Sequence, residues 1–165
     1  MRPRAMPWAR GALRRLRSHG VRLGLVTAST RGVVEPNIAR LNLSGVFEVA
    51  LYSDDVAQSK PHPEALLRAL GEMGVRPSRT VYVGDTPVDL EMTRAAGASF
   101  VAVGTTTPDE VFRAAGVDRV WGGVGEWTNA LLDPGSSGHA RGRRGPGSGP
   151  SGTVAGAPTA DTIEG

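Results

Sequence analysis

Two carboxylates four residues apart, Asp85 and Asp89, close the stretch Thr80-Val-Tyr-Val-Gly-Asp-Thr-Pro-Val-Asp-Leu90. A β-branched run stopped by glycine reads as a strand leaving its sheet. Pro87 suits the first position of a helix, with Thr86 as its cap. Asp85 is therefore placed at the carboxyl end of a strand and Asp89 in the first turn of the following helix. That edge of an open α/β sheet is where ligands bind. Two acids there suit a hard divalent cation such as Mg2+, which takes oxygen ligands. Asp89 has a second reading, because Thr86-Pro-Val-Asp89 also fits a capping box. An acid in a first turn is favoured by the helix dipole in any case. Asp85 has no such rival, since Thr86 already supplies the cap.

One further residue stands out by type. Lys60 is the single lysine among 19 basic residues, the rest being arginine. An ammonium is a compact point charge and a guanidinium a planar fork, so the two are not interchangeable at a tight phosphate site. Lys60 sits in a proline-rich turn, Ser59-Lys-Pro-His-Pro63, just before a helical pattern.

The elements that would position these groups alternate along the chain. Ala9, Ala12, Leu13 and Leu16 follow helical spacing, with Arg10, Arg14, Arg15 and Arg17 turned away. Val21–Val26 reads as a buried strand of the parallel type, followed by the polar loop 27–30. Pro36 limits the next helix to about Pro36–Leu41 or kinks a longer one. Strands are predicted at Phe47–Tyr52, Thr80–Val83, Ser99–Val103 and Arg119–Trp121. Helices are predicted at His62–Met73, Pro87–Ala96, Val111–Ala115 and Glu126–Leu132. Asp54 and Asp55 read as solvated loop acids. This alternation argues for a doubly wound parallel α/β sheet with right-handed crossovers.

Composition bounds the rest. Of the 165 residues 39% are hydrophobic, enough for one modest core, and net charge is +3. The absence of cysteine excludes disulfides, thiolate zinc sites and cysteine nucleophiles. No apolar run approaches spanning length and no secretory pattern is seen, so a cytoplasmic protein without membrane contact is expected. Residues 1–133 carry the folded pattern. Residues 134–165 are dominated by Gly, Pro and Ser, contain no aromatic residue, and are predicted to form a disordered tail. Arg141, Arg143 and Arg144 cluster there but indicate a solvated tail, not a specific nucleic-acid surface. Oligomeric state is left open.

The topology brings three polar points to one edge: Thr27 at the end of the first strand, Lys60 before a helix, and Asp85 with Asp89. A hydroxyl, an ammonium and carboxylates meeting at such an edge suit phosphate chemistry. Three segments here resemble the second, third and fourth motifs of the haloacid dehalogenase-like (HAD) hydrolases. They are Leu23-Gly-Leu-Val-Thr27, Ser59-Lys-Pro-His-Pro-Glu-Ala-Leu66 and Val83-Gly-Asp-Thr-Pro-Val-Asp-Leu-Glu-Met-Thr-Arg-Ala-Ala-Gly97. The Lys-Pro-His-Pro form with Gly-Asp-Thr-Pro-Val-Asp is similar to the phosphoglycolate phosphatase and pyrophosphatase branch. The resemblance runs from about Pro7 to Leu132.

The resemblance implies a Rossmann-like core and a phosphatase acting on a small phosphorylated metabolite with Mg2+. It implies that Thr27 binds the phosphoryl group, with Ala28 and Ser29 contributing amides, and that Lys60 stabilises nucleophile and phosphate. Asp85 would ligate Mg2+ directly and Asp89 would ligate or orient it. Family members attack through an aspartate in an Asp-x-Asp motif that ends a first, central strand, forming a phosphoaspartyl intermediate. No acidic residue precedes Thr27. The chain is therefore expected to be the C-terminal part of a longer protein, lacking the central strand and the cap. The strands ending at Thr27 and Asp85 would then have unpaired inner edges or pair with each other. A non-catalytic phosphate- or metal-binding module is the alternative. A nucleotide-binding domain has no support, because no Gly-x-Gly-x-x-Gly or Walker-type loop is present.

Overall fold

The structure, a computed structural model, describes residues 7–135 and 153–155. The predicted alternation is realised: α1 (Pro7–Ser18), β1 (Arg22–Val26), α2 (Arg31–Arg40), β2 (Val49–Leu51), α3 (Glu64–Met73), β3 (Thr80–Gly84), α4 (Pro87–Ala96), β4 (Ser99–Val103), α5 (Asp109–Ala114), β5 (Val120–Trp121), α6 (Val124–Leu132) and β6 (Thr153–Ala155). Every strand pairing is parallel, and the strand order is β2-β1-β6-β3-β4-β5. None of the described helices is long and apolar enough to cross a membrane.

Helices cover both faces of the sheet. On one, Ala65, Leu66, Ala69 and Leu70 of α3 and Met92 and Ala96 of α4 pack with Val26, Leu51 and Tyr82. On the other, Leu16 of α1 and Trp127 of α6 pack with Val21, Leu23, Val83 and Val103. β1 and β3 are buried on both sides over most of their length, which is why they read as continuous apolar runs instead of alternating ones. Gly97 ends α4 in the left-handed region at φ 75°, where a side chain would be strained.

The sequence reading requires correction at three places. Of the two readings at Pro36 the longer helix holds, since α2 begins five residues earlier at Arg31. The Arg31 N–H donates to the Asp54 carboxylate at 3.1 Å, so an acid 23 residues away caps the helix start. That contact is invisible to local pattern reading. Asp54 and Asp55 are accordingly not merely solvated.

The second correction concerns the centre of the sheet. β1 and β3 neither leave their inner edges unpaired nor pair with each other, because β6 lies between them. It pairs Thr153, Val154 and Ala155 with Arg22, Leu23 and Gly24 on one side and with Thr80, Val81 and Tyr82 on the other. The central position is thus filled from the other end of the chain. The third correction follows. Within the expected disordered tail, residues 136–152 and 156–165, with Arg141, Arg143 and Arg144, lie outside the described residues, but Thr153–Ala155 is a strand. Two unpaired parallel edges offer two ladders of hydrogen bonds to any extended segment that reaches them. Thr153 and Val154 are adjoining β-branched residues suited to it.

Replacing Val154 by proline removes an amide that a central strand cannot spare. We expect a loss of about 1–3 kcal/mol in unfolding free energy. Amide exchange should accelerate in β1 and β3, with the β4–β5 pairing still protected. Unchanged exchange in β1 and β3 would show that β6 does not pair there in solution.

Candidate functional site

The carboxyl ends of β1, β3 and β4 and the loop before α3 converge at one edge of the sheet. At the end of β1 the Thr27 N–H donates to the Leu51 carbonyl at 3.0 Å, tying the exits of β1 and β2. Thr27 is buried, and its Oγ1 accepts from the Ser29 N–H at 3.1 Å. The hydroxyl keeps its own proton to donate. The Ser29 amide is turned inward to Thr27, whereas Ala28 is exposed.

The exit of β2 braces this loop. The Arg31 guanidinium donates to both Asp55 oxygens at 3.0 Å and lies 4.3 Å from the centre of the Tyr52 ring. The Tyr52 hydroxyl donates to Glu35. The Tyr52 N–H donates to Asp55, and with the Arg31 guanidinium it holds that carboxyl below its ordinary value. Burial first, and the Glu35 carboxylate second, push the Tyr52 phenol up to about 12.

Lys60 enters from the loop before α3. That loop is closed by the Glu64 carboxylate, which accepts from the N–H groups of Ala57 at 3.0 Å and Gln58 at 2.9 Å. The Lys60 side chain is 5% exposed and points inward. Its Nζ donates to the Tyr82 hydroxyl at 2.7 Å and to Asp89 Oδ1 at 2.8 Å, with the Val26 carbonyl at 3.4 Å. Three N–H groups thus meet three oxygens. The Tyr82 hydroxyl lies 3.1 Å from the Val26 carbonyl and 3.3 Å from Asp89 Oδ1, completing a closed set.

The two acids of the motif have different surroundings. Asp89 is fully buried, and Oδ1 faces Lys60 and Tyr82. Oδ2 accepts from the Thr86 hydroxyl at 2.8 Å and its N–H at 3.3 Å, while the Asp89 N–H donates back to Thr86 Oγ1 at 3.2 Å. The capping box is real, and Asp89 is also the counter-ion of Lys60. Gly84 makes room for it: a Cβ there would lie 2.7 Å from Asp89 Cβ and 2.9 Å from Phe100 Cε2.

Asp85 is equally buried, but its Oδ1 has no hydrogen-bond partner. Such an orphaned acceptor is costly unless something else meets it. Oδ2 accepts from the hydroxyls of Thr105 at 2.8 Å and Thr106 at 3.0 Å. Among the described residues no group of three or more His, Cys, Asp or Glu side chains is placed to hold an ion. Mg2+ does not need one, since it keeps several waters and takes one or two carboxylates plus a phosphate oxygen. The residues present therefore fit Mg2+ through Asp85, while the Asp89 oxygens are already engaged. Tyr82, Thr105 and Thr106 are site residues that motif reading missed. Tyr82 looks like an ordinary core residue in sequence, and Thr-Thr-Thr after β4 like an ordinary polar loop.

The model of the haloacid dehalogenase-like hydrolases matches residues 4–103. The chain belongs to this family. It is 31% identical over 118 residues to phosphoglycolate phosphatase of Escherichia coli strain K12, an alignment covering 66% of this chain and 47% of the relative. Identity to the phosphoglycolate phosphatase of Salmonella choleraesuis is 35% over 97 residues, 59% of this chain and 38% of that one. The chain thus spans about half the length of these curated relatives. Among solved structures, a HAD-superfamily hydrolase of subfamily IA from Geobacter sulfurreducens superposes with a TM-score of 0.55 at 33% identity. It covers 60% of this chain and 50% of that one. A candidate haloacid dehalogenase-like hydrolase from Bacteroides fragilis gives a TM-score of 0.67 at 29% identity, covering 71% and 56%.

In this HAD core the Lys60–Asp89 pair fixes position, and breaking it by removing one partner is costly. Lys60→Met should cost about 3–5 kcal/mol by stranding a buried carboxylate. Adding Asp89→Asn should return part of that loss, because the stranded charge is gone. Denaturant unfolding of the two variants checks this, and equal losses would refute the coupling. Gly84→Ala should cost about 1–3 kcal/mol by overpacking against Asp89 and Phe100.

The loop that carries Lys60 should loosen in acid. The Ala57 and Gln58 amides hold the Glu64 carboxyl below its ordinary value. A depressed folded value means that the contribution is complete above the unfolded pKa and is lost as pH falls through the folded one. The Ala57 and Gln58 amide resonances should therefore titrate together, with a midpoint below that of an ordinary glutamate. Glu64→Gln should abolish that step.

Proposed function

We propose that this chain carries the phosphate- and cation-handling part of a magnesium-dependent phosphomonoester hydrolase acting on a small phosphorylated metabolite of the phosphoglycolate type. The observation that carries the reading is the orphaned Asp85 Oδ1, buried at the carboxyl edge where Lys60 and Thr27 also lie. Mg2+ bound at Asp85 would supply charge neutralisation and orientation to a phosphate oxygen.

The chain's own residues do the rest. Thr27 donates its hydroxyl to the phosphoryl group, and the Ala28 amide adds a second donor at the same loop. Lys60 places a positive charge beside the transferring group and is held there by Asp89 and Tyr82. Asp89 acts through Lys60 and not as a direct ligand. The phosphoaspartyl route further requires an Asp-x-Asp carboxylate at the end of a central strand, a motif absent before Thr27 in this sequence.

The test joins the full chain to an N-terminal segment encoding a strand that ends in Asp-x-Asp, which must displace β6 from between β1 and β3. With MgCl2 the folded fusion should hydrolyse phosphoglycolate. Lys60→Met in that background should lower kcat by about 10²–10³-fold. A folded fusion that hydrolyses no phosphate ester would overturn the proposal.

A second reading, a non-catalytic phosphate- or metal-binding module, is favoured by the central position between β1 and β3, which is filled by Thr153–Ala155, a segment with no acidic residue. Turnover in the fusion separates the two, since both readings expect the chain alone to bind Mg2+. A module binds Mg2+ or inorganic phosphate, and its fusion gains no turnover.

A further inference from the structure

The loop between β4 and α5 places three consecutive threonine hydroxyls on Asp85. Thr105 and Thr106 donate to Oδ2 at 2.8 and 3.0 Å. Thr107 donates to the Asp85 backbone carbonyl at 2.7 Å, and the Thr106 hydroxyl also lies 3.1 Å from it. We propose that Thr105 and Thr106 form a positioning clamp, which fixes the Asp85 carboxylate so that Oδ1 alone is presented to a divalent cation. The inference rests on the cation reading of Asp85 given above.

The asymmetry of the contacts argues for it. Both side-chain donors land on one oxygen of a fully buried carboxylate, and the other oxygen receives none. A loop needing only an anchor on β3 would have it in the Thr107 bond to the backbone. Hydroxyls spent on Oδ2 instead fix the rotation of the carboxylate, and that rotation decides where Oδ1 points. Groups that orient a metal ligand without touching the metal change affinity by 10–100-fold when removed. Thr107 serves as the built-in control, because it holds the same loop without touching the carboxylate.

The experiment titrates the full chain with Mg2+ by calorimetry and with Mn2+ by electron paramagnetic resonance. Thr105→Val with Thr106→Val should weaken binding by about 10-fold or more. Thr105→Ser with Thr106→Ser should restore it, because serine keeps the hydroxyl. Thr107→Val should lower stability with affinity unchanged. Should the double valine variant lose its fold, the single valine variants carry the same comparison, each expected to weaken binding several-fold. Unchanged affinity in the valine variants, or an equal loss in Thr107→Val, overturns the clamp while leaving the cation site standing. Failure of the unaltered chain to bind either ion overturns the cation reading itself, and the clamp with it.

Discussion

A lysine ammonium buried to 5% exposure has to be met on every N–H, and the site is arranged around that requirement. Its three partners come from three different elements: the Val26 carbonyl from β1, the Tyr82 hydroxyl from β3 and the Asp89 carboxylate from α4. The loop that delivers Lys60 is pinned separately, by Glu64 on the amides of Ala57 and Gln58. Burying such a pair gains little net stability, since desolvation offsets most of the attraction. What it does fix is position. The pair ties β1, β3 and α4 to one another at the carboxyl edge of the sheet. A guanidinium, with its fork of donors, would not fit three oxygens converging on one point.

The same edge depends on how far apart β1 and β3 stand. Neighbouring strands are about 4.8 Å apart, so one strand between them holds their ends about 10 Å from each other. β6 provides that spacing, but only over three residues. Its register ends at Gly24 on β1 and Tyr82 on β3. Leu25 and Val26 on one side, and Val83 and Gly84 on the other, continue past it towards Thr27 and Asp85. Beyond the last rung the link from β3 to β1 is the Tyr82 hydroxyl facing the Val26 carbonyl. The polar cluster under Lys60 therefore takes over where the strand stops.

Much of this was legible in the sequence, for reasons that can be named. Strands buried on both faces betray themselves as apolar runs, and helices end where a glycine takes the left-handed region, as at Gly97. Thr27, Lys60 and Asp85 could be placed because strand ends and helix starts are local features, and α/β topology assembles them at one edge. What was not legible depends on contacts between distant segments. Asp54 capping α2, Tyr82 supporting Lys60 and the threonines on Asp85 each join residues 20 or more apart in sequence. Nothing within a local window marks them. β6 is the extreme case. A three-residue strand in a Gly-, Pro- and Ser-rich segment has no periodicity to detect, and only the two open edges waiting in the sheet give it a place.

Asp85 and Asp89 show why residue type and spacing cannot by themselves assign a role. Both are aspartates, both are fully buried, and one helical turn separates them. Asp89 receives an ammonium, a hydroxyl and a backbone amide, and the Tyr82 phenol lies 3.3 Å from its Oδ1, so both oxygens are engaged. A cation approaching it would have to displace Lys60 and would meet that positive charge in doing so. Asp85 receives two hydroxyls on one oxygen and has the other bare. A neutral hydroxyl compensates a buried carboxylate less than an ammonium does, so Asp85 retains most of its demand for positive charge. The motif thus divides by environment: one acid is consumed in holding the lysine, and the other is left half-satisfied.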